Sequence, residues 1–149
     1  MLSKKTRYSL LALIKLAKEY DKGPILIHEI AESEKLPKKF LEAILLELKK
    51  DGIVSSKKGK GGGYYLIKQP NEVHMAQIIR KFDGAIALLP CVTYSYYESC
   101  EHCKDETTCG LRSVIKEVRD ASVNILKNTT LADILLREEK LKKQQKKGS

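Results

Sequence analysis

A chain of 149 residues falls within the usual size of one domain and leaves little room for a second hydrophobic core. Its 28 Lys and Arg residues outnumber its 19 Asp and Glu residues, and the formal net charge of +9 favours an anionic polymer as partner. No run of about 18 apolar residues occurs, which excludes a membrane-spanning helix, and Lys15, Lys18 and Glu19 interrupt the apolar N-terminal stretch, which argues against a signal peptide. We therefore expect a cytoplasmic protein with no membrane partner.

Three helices are predicted in the first third of the chain. Ser3 is the predicted N-cap of the first helix, which residues 21–24 (DKGP) end. Its predicted apolar face comprises Leu10, Leu13, Ile14 and Ala17. A short helix over 27–32, a turn over 33–36 and a longer helix over 37–50 follow. The last two helices have the outline of a helix-turn-helix.

The longer helix divides into a buried and an exposed face. Its apolar stripe recurs at helical spacing and comprises Phe40, Leu41, Ile44, Leu45 and Leu48. Lys38, Lys39 and Glu42 remain to face outward, as a DNA-recognition helix requires. The two lysines are placed to reach phosphates or guanine edges, and a carboxylate on this face can accept a hydrogen bond from cytosine N4.

A glycine-rich hairpin is predicted directly after the helix-turn-helix. Residues 53–57 and 64–68 have strand character, and the segment KGKGGG (58–63) joins them. Glycine permits positive φ and a close approach to phosphate, so we predict a DNA-contacting wing rather than a loose glycine turn. A strand follows the glycines, which excludes the dinucleotide-binding fingerprint. The predicted contacts are Lys57, Lys58, Lys60, Gly61, Gly62 and Tyr64.

A further helix is predicted to begin at residues 70–71 and to end at 83–84. All four cysteines lie in one polar segment after it. Cys91, Cys100, Cys103 and Cys109 are separated by eight, two and five residues. Thiolates are soft ligands that suit an iron–sulfur cluster or zinc, and four are enough for either. The Cys100-x-x-Cys103 pair also permits a thiol–disulfide switch, so three alternatives remain open.

The C-terminal part is predicted to contain a long helix with an apolar seam. The seam repeats every three to four residues and comprises Leu111, Val114, Val118, Ala121, Ile125 and Leu126. It suits either packing on the chain's own core or a dimer stalk. Asn128 suits the end of this helix, and Thr130 with Asp133 suits the N-cap of a last helix over 131–141. Residues 142–149 are predicted to be a disordered basic tail.

Several segments together resemble one family, the Rrf-type winged-helix regulators grouped with IscR, NsrR and CymR. They are RYSLLALIKLA (7–17), IHEIAE (27–32), LPKKFLEAILLELKKDGIVSS (36–56), KGKGGGYYL (58–66), CGLR (109–112) and TLADIL (130–135). The resemblance implies a bacterial transcription factor that dimerises through the long helix after the cysteine segment. Several members of the family hold an iron–sulfur cluster in that segment.

The resemblance also implies site residues. Cys91, Cys103 and Cys109 match the family's cysteine positions, although the first gap is wider than usual, and Cys100 is an addition. Family members take the fourth ligand from a His after the third cysteine or from an acid near the N-terminus. Here those positions hold Arg112 and Arg7, which are not ligands. Cys100 is therefore the expected fourth donor, with His102 in reserve.

We accordingly predict a mainly α fold with a small β-hairpin, a winged helix-turn-helix followed by a long C-terminal dimerisation helix. Its predicted parts are a DNA-binding domain (1–84), a cysteine-containing sensor loop (85–110), a dimerisation helix with a packing helix (111–141) and the tail (142–149). The predicted function is a homodimeric repressor on a pseudo-palindromic operator in double-stranded DNA, controlled by a 2Fe–2S or 4Fe–4S cluster.

The alternatives to a cluster are zinc, a thiol–disulfide switch, or docking of a partner enzyme. We expect no enzyme activity in the chain itself. Its histidines, His28, His74 and His102, are scattered, and no paired carboxylates or nucleophile–base spacing occurs.

Overall fold

The computed structural model describes all 149 residues and contains six α-helices and one two-stranded antiparallel sheet. The helices are α1 (Lys4–Lys18), α2 (Ile27–Glu34), α3 (Lys38–Lys50), α4 (Met75–Asp83), α5 (Gly110–Asn128) and α6 (Leu131–Lys147). The strands are β1 (Val54–Lys57) and β2 (Gly63–Leu66), and short 3-10 turns occur at Pro70–Glu72 and Pro90–Val92. None of the helices combines the length and the apolarity needed to cross a membrane.

Helix α1 is the central element of the core. The Ser3 side chain accepts a hydrogen bond from the Thr6 backbone N–H at 3.1 Å, which confirms the predicted N-cap. Leu10, Leu13 and Ala17 are buried as predicted. The helix packs against α2, α3, α4, α6 and β2, so one apolar face joins the N-terminal and C-terminal elements.

Helices α2 and α3 form the predicted helix-turn-helix. Lys35 ends α2 in the left-handed region at φ 54°, and Leu36 is buried in the turn that follows. Leu41, Ile44, Leu45 and Leu48 form the buried stripe of α3. Phe40 was predicted in this stripe and is instead 39% exposed. It lies at the margin of the stripe, roughly 90° from its centre at 3.6 residues per turn, where its ring meets Tyr8 edge-on.

The hairpin is anchored to the body of the protein through backbone contacts. Strand β1 pairs with β2 in the register Val54↔Leu66 to Lys57↔Gly63. The strands are shorter than predicted, although the Ile67 N–H still donates to Ile53 O at 2.9 Å. Tyr64 also exchanges two backbone hydrogen bonds with Ile25, of 2.7 and 2.8 Å, in the connection between α1 and α2. Strand β2 is therefore bonded on one edge to β1 and on the other to the backbone of Ile25.

The glycines of the hairpin satisfy steric requirements that no other residue meets. Gly59, Gly61 and Gly63 have positive φ, of 88°, 74° and 136°. A Cβ on Gly62 would lie 2.2 Å from Lys57 O, and a Cβ on Gly63 would lie 2.3 Å from Ile25 O. Gly62 thus allows the tip to fold tightly, and Gly63 allows β2 to lie against the backbone of Ile25.

The C-terminal half differs from the prediction in two places. A 3-10 turn stands where a helix was predicted to begin at residues 70–71, and α4 begins only at Met75. The intervening backbone bonds to the start of α6 instead, because the Leu131 N–H donates to Val73 O and the Met75 N–H donates to Thr129 O. The predicted disordered tail is also wrong, since α6 continues to Lys147. Residues 139–147 are all Glu, Lys, Leu or Gln, which favour helix, and this stretch contains no glycine or proline that would end the helix before Gly148. The predicted Thr130–Asp133 capping box is confirmed.

Replacing Gly63 by Ala is expected to destabilise the protein by about 1–3 kcal/mol, the usual cost of a strained backbone position. The reason is that the new methyl group conflicts with both the positive φ and Ile25 O. Gly110→Ala is the matched control, because Gly110 has open space around it and no positive φ. Urea unfolding at one protein concentration measures both variants. Equal midpoints for the two would contradict the proposed packing of the wing base.

Candidate DNA-binding surface and cysteine loop

The outward face of α3 carries lysines without acidic partners. Lys38 and Lys39 occupy the first turn and are exposed, as is Glu42 one turn later. Neither lysine forms an ion pair within the chain. Pro37 caps the helix without a side-chain hydrogen bond, so the first backbone N–H groups of α3 are left for an external acceptor. This end of the helix is suited to contact an anion.

The wing presents a second set of unpaired lysines. Lys57, Lys58 and Lys60 are exposed and form no ion pair, and Gly61 at the tip is also exposed. Lys49, at the end of α3, donates to Ser56 Oγ at 2.7 Å and ties the helix to β1. The unpaired lysines of α3 and of the wing are therefore carried by two elements in direct contact.

Two of the predicted wing contacts lie deeper than the lysines. Gly62 is buried, and the Tyr64 side chain is half-buried against the hydrophobic core. The backbone of Tyr64 bonds to Ile25. These positions suit residues that hold the wing in place rather than residues that reach outward.

The cysteine loop comprises residues 85–109, and two arginines of α5 bond to its first part. Arg112 Nε donates to Cys91 O at 3.3 Å, and Arg119 Nη1 donates to Val92 O. Arg119 is buried and also donates to Asp120 Oδ1 at 2.9 and 2.6 Å. The bonds from Arg119 contribute most to holding the pKa of Asp120 below its usual value, and a hydrogen bond from the Tyr94 hydroxyl lowers it further. The loop backbone is thus attached directly to α5.

The four thiols are free and differ in exposure. Cys91 is buried, Cys103 and Cys109 are half-buried, and Cys100 is exposed. The Cys109 sulfur caps α5 by accepting the Arg112 N–H at 3.4 Å, and the Cys103 N–H donates to Cys100 O at 3.1 Å in a tight turn. Burial raises the pKa of Cys103, and the negative charges of Cys109 and Cys100 raise it further. The loop therefore brings Cys100, Cys103 and Cys109 into one neighbourhood.

The donor chemistry of this loop fits a soft metal centre, because four free thiols lie within 19 residues. The side chains are not arranged as a completed site, since no three His, Cys, Asp or Glu groups converge in a geometry that could hold a metal ion. His102, the reserve ligand, is exposed beside Cys103. Formation of a metal site at these thiols requires the loop to rearrange.

Helix α5 exposes most of its predicted apolar seam. Leu111, Val114, Val118 and Ile125 are between 41 and 65% exposed, and Ala121 between them is also exposed. Leu126, predicted in the same seam, instead packs partly against the core. The five exposed positions are spaced alternately by three and four residues, the pattern of a helix that pairs with another helix.

Four residues of this region were not predicted as site residues. Gly63 is marked in the sequence only as the third glycine of a triplet, and Arg112 was considered only as a missing ligand. The burial of Arg119 has no sequence signal, because charged residues normally face solvent. Leu46 is 52% exposed on the outward side of α3 and lies outside the predicted apolar stripe.

Comparison with known proteins gives consistent matches over nearly the whole chain. Residues 2–137 match the family model described as "Rrf2: Iron-dependent Transcriptional regulator". An HTH-type regulator described as rrf2-like, from Rhodobacter capsulatus, is 41% identical over 138 residues, or 91% of this chain and 92% of that protein.

Solved structures agree with this match. The structure of CymR, the global cysteine regulator of B. subtilis, aligns with a TM-score of 0.75 at 31% identity, covering 90% of this chain and 95% of that one. T. potens IscR aligns with a TM-score of 0.73 at 28% identity, covering 95% and 90%. The predicted resemblance and the winged-helix fold with its C-terminal helix are confirmed, and the chain belongs to the Rrf2 family of transcriptional regulators.

Proposed function

We propose that this regulator is a homodimeric, sequence-specific repressor whose operator affinity is set by an iron–sulfur cluster in the cysteine loop. The observation that carries the proposal is the attachment of the loop to α5 through Arg112 and Arg119. A change at the thiols must act on these bonds, and α5 carries the surface through which two copies would pair. The site is thereby linked to the spacing of the two DNA-binding units.

The DNA-binding role is divided between α3 and the wing. In this proposal α3 enters the major groove, where Lys38 and Lys39 reach phosphates or guanine edges and Glu42 accepts from cytosine N4. Lys57, Lys58 and Lys60 contact phosphates of the flanking DNA. The support for this division is that the lysines are exposed and have no acidic partner within the chain. Phosphate contacts supply affinity for any sequence, and base contacts supply specificity.

Dimerisation is proposed to occur through the exposed seam of α5. The seam would bury Leu111, Val114, Val118, Ala121 and Ile125 against the same residues of a second copy. A two-fold dimer places its two recognition helices about 34 Å apart, one turn of DNA, and therefore selects a pseudo-palindromic operator.

The proposed ligands are Cys91, Cys103 and Cys109, with Cys100 as the fourth donor and His102 in reserve. A 2Fe–2S or 4Fe–4S cluster held by these thiols supplies a centre whose charge and ligation change with oxidation. Gathering the thiols would move Cys109, whose sulfur accepts the Arg112 N–H, and Cys91, whose backbone O accepts from Arg112 Nε. Both shifts act on the first turn of α5. A coupling of about 1–3 kcal/mol, typical of allosteric regulators, would change operator affinity by roughly 5- to 150-fold.

A thiol–disulfide switch is the second candidate, and the turn at Cys100–Cys103 favours it. The Cys103 N–H already bonds to Cys100 O, so the two residues lie on one tight turn. An external oxidant would accept two electrons as the two thiols lose their protons and form the disulfide. Zinc in place of the cluster, and docking of a partner enzyme, remain further alternatives for the same loop.

Replacing both Lys58 and Lys60 by Ala is expected to weaken binding to operator and random DNA equally. Each lost phosphate contact should reduce the slope of log K against log salt by about 0.9. Glu42→Gln should instead change base preference at one position more than overall affinity. Fluorescence titrations at several salt concentrations measure these effects.

The matched control for the wing variant is Lys142→Ala with Lys143→Ala, which removes the same charge from an exposed part of α6. This control should leave the salt slope unchanged. A wing variant with unaltered affinity for all DNA would show that the wing does not contact phosphates.

Val118→Asp is expected to convert the dimer to monomers and to abolish tight operator binding. Pairing of the seam would bury the new carboxylate, which costs several kcal/mol if it stays ionised and unpaired. Sedimentation velocity measures the oligomeric state. Asn124→Asp is the control, because it adds a carboxylate at an exposed position of the same helix outside the seam. A Val118→Asp variant that sediments as a dimer would place the interface elsewhere.

Serine at Cys91, Cys103 or Cys109 is expected to abolish the visible absorption of protein purified without oxygen, because a hard hydroxyl replaces a soft thiolate. The fourth donor is identified by comparing Cys100→Ser with His102→Ala, since the variant that lacks the donor should lose its visible absorption. Iron, sulfide and zinc analysis accompanies each spectrum, and operator affinity should change together with iron content. A colourless protein with one zinc per chain and identical DNA binding in all four serine variants would rule out cluster control.

A further inference from the structure

A cavity of about 410 Å³ lies where α4, the cysteine loop and α5 meet. Its walls come from the end of α4 and the turn after it, from loop residues 93–96, and from one side of α5. Arg80, Ile86, Thr93, Ser95, Arg119 and Val123 are among its lining residues. The volume is within the range of about 300–1,000 Å³ that small-molecule sites occupy. None of the four cysteines lines it, although residues 93–96 of the cysteine loop do.

The charge of the cavity points to an anionic ligand. Arg119 is already satisfied by Val92 O and Asp120 Oδ1, with its guanidinium 4.1 Å from the centre of the Tyr94 ring. Arg80 has no ion pair and no side-chain hydrogen bond within the chain, and no acidic residue lines the cavity. The site therefore offers one uncompensated positive charge, together with the Ser95 hydroxyl.

Part of the lining is apolar. Ala85, Ile86 and Ala87, in the turn after α4, and Val123 on α5 are among the lining residues. We propose that the cavity binds a small aliphatic monocarboxylate, with the carboxylate on Arg80 and the hydrocarbon chain between Ile86 and Val123. An inorganic anion would leave the apolar lining without a partner, and a neutral chain would leave the charge of the exposed Arg80 side chain to solvent.

The cavity lies off the α5 seam. At roughly 100° per residue, Arg119 and Val123 lie about 100° and 140° around the helix from Val118. The seam and the cavity are therefore on different flanks of α5. A ligand here would contact the DNA-binding unit through α4, the sensor loop through residues 93–96, and the stalk through α5. It would act as an input separate from the thiols.

Isothermal titration calorimetry on the full chain without DNA tests the proposal, with hexanoate as the probe. We expect one hexanoate per chain, with weaker binding of acetate, hexanol and inorganic phosphate. Arg80→Gln should weaken hexanoate binding about tenfold or more, the effect of losing a hydrogen bond between charged groups. Arg137→Gln is the matched control, because Arg137 is an exposed arginine on α6 away from the cavity, and it should leave binding unchanged.

Three results would overturn the proposal. Equal binding of hexanol and hexanoate would indicate an apolar cavity without anion selectivity. Equal binding of phosphate would indicate a plain anion site, and unchanged hexanoate affinity in Arg80→Gln would remove the assigned cation. Val123→Phe fills the apolar wall and should also reduce hexanoate affinity. Because these measurements use neither DNA nor metal, their failure is distinguishable from failure of the proposed repressor function.

Discussion

The hydrogen bonds of Arg119 are the constraint on which the connection between the cysteine loop and α5 depends. Arg119 is the one charged residue in the buried set, and a buried guanidinium without partners costs several kcal/mol. Here Val92 O, Asp120 and the Tyr94 ring satisfy it together. Any movement that separates residues 92–94 from α5 would remove Val92 O and the Tyr94 ring from this charge and leave Asp120 as its remaining partner. The loop and the helix are therefore expected to move as a coupled pair.

The DNA-binding unit is built on a different principle, in which backbone contacts fix the shape and leave the charged side chains free. Gly63 allows β2 to bond to Ile25, and Lys49 joins α3 to β1. The lysines at the wing tip and at the start of α3 take no part in these contacts. This separation suits a surface that must keep its shape in the absence of DNA while presenting uncompensated charge to it.

The two C-terminal helices are similar in length but differ in role. The first half of α6 packs against α1, with Leu131 buried and Lys18 paired to Glu138 at 2.8 Å. Helix α5 instead leaves a row of apolar residues exposed, and only its other side meets the body of the protein. The exposed lysines of α3 and the wing therefore lie apart from the exposed seam of α5. The cysteine loop and the cavity are connected, because residues 93–96 and Arg119 line the cavity and Arg119 also bonds to Val92 O.

The sequence by itself determined the local elements and the family. Helical periodicity, the Ser3 and Thr130 caps and the glycine-rich turn are short-range signals, so the helix-turn-helix, the wing and the helix after the cysteines were predictable. It also identified the exposed lysines and the four thiols by residue type. The predicted disorder of residues 142–149 was based on their charge, but these residues include a run of good helix formers that continues α6 to Lys147.

Only the tertiary structure decided which residues hold these parts together. The burial of Arg119, the attachment of Cys91 and Val92 to α5, the need for glycine at Gly63 and the half-buried position of Tyr64 all arise from contacts between distant segments. The cavity beside Arg80 likewise exists only where three elements meet. A one-dimensional pattern records which residue types are present, but it does not record which backbone carbonyl or empty space will lie beside them after the chain has packed. For this reason the candidate ligands and DNA contacts could be named from the sequence, whereas their connections could not.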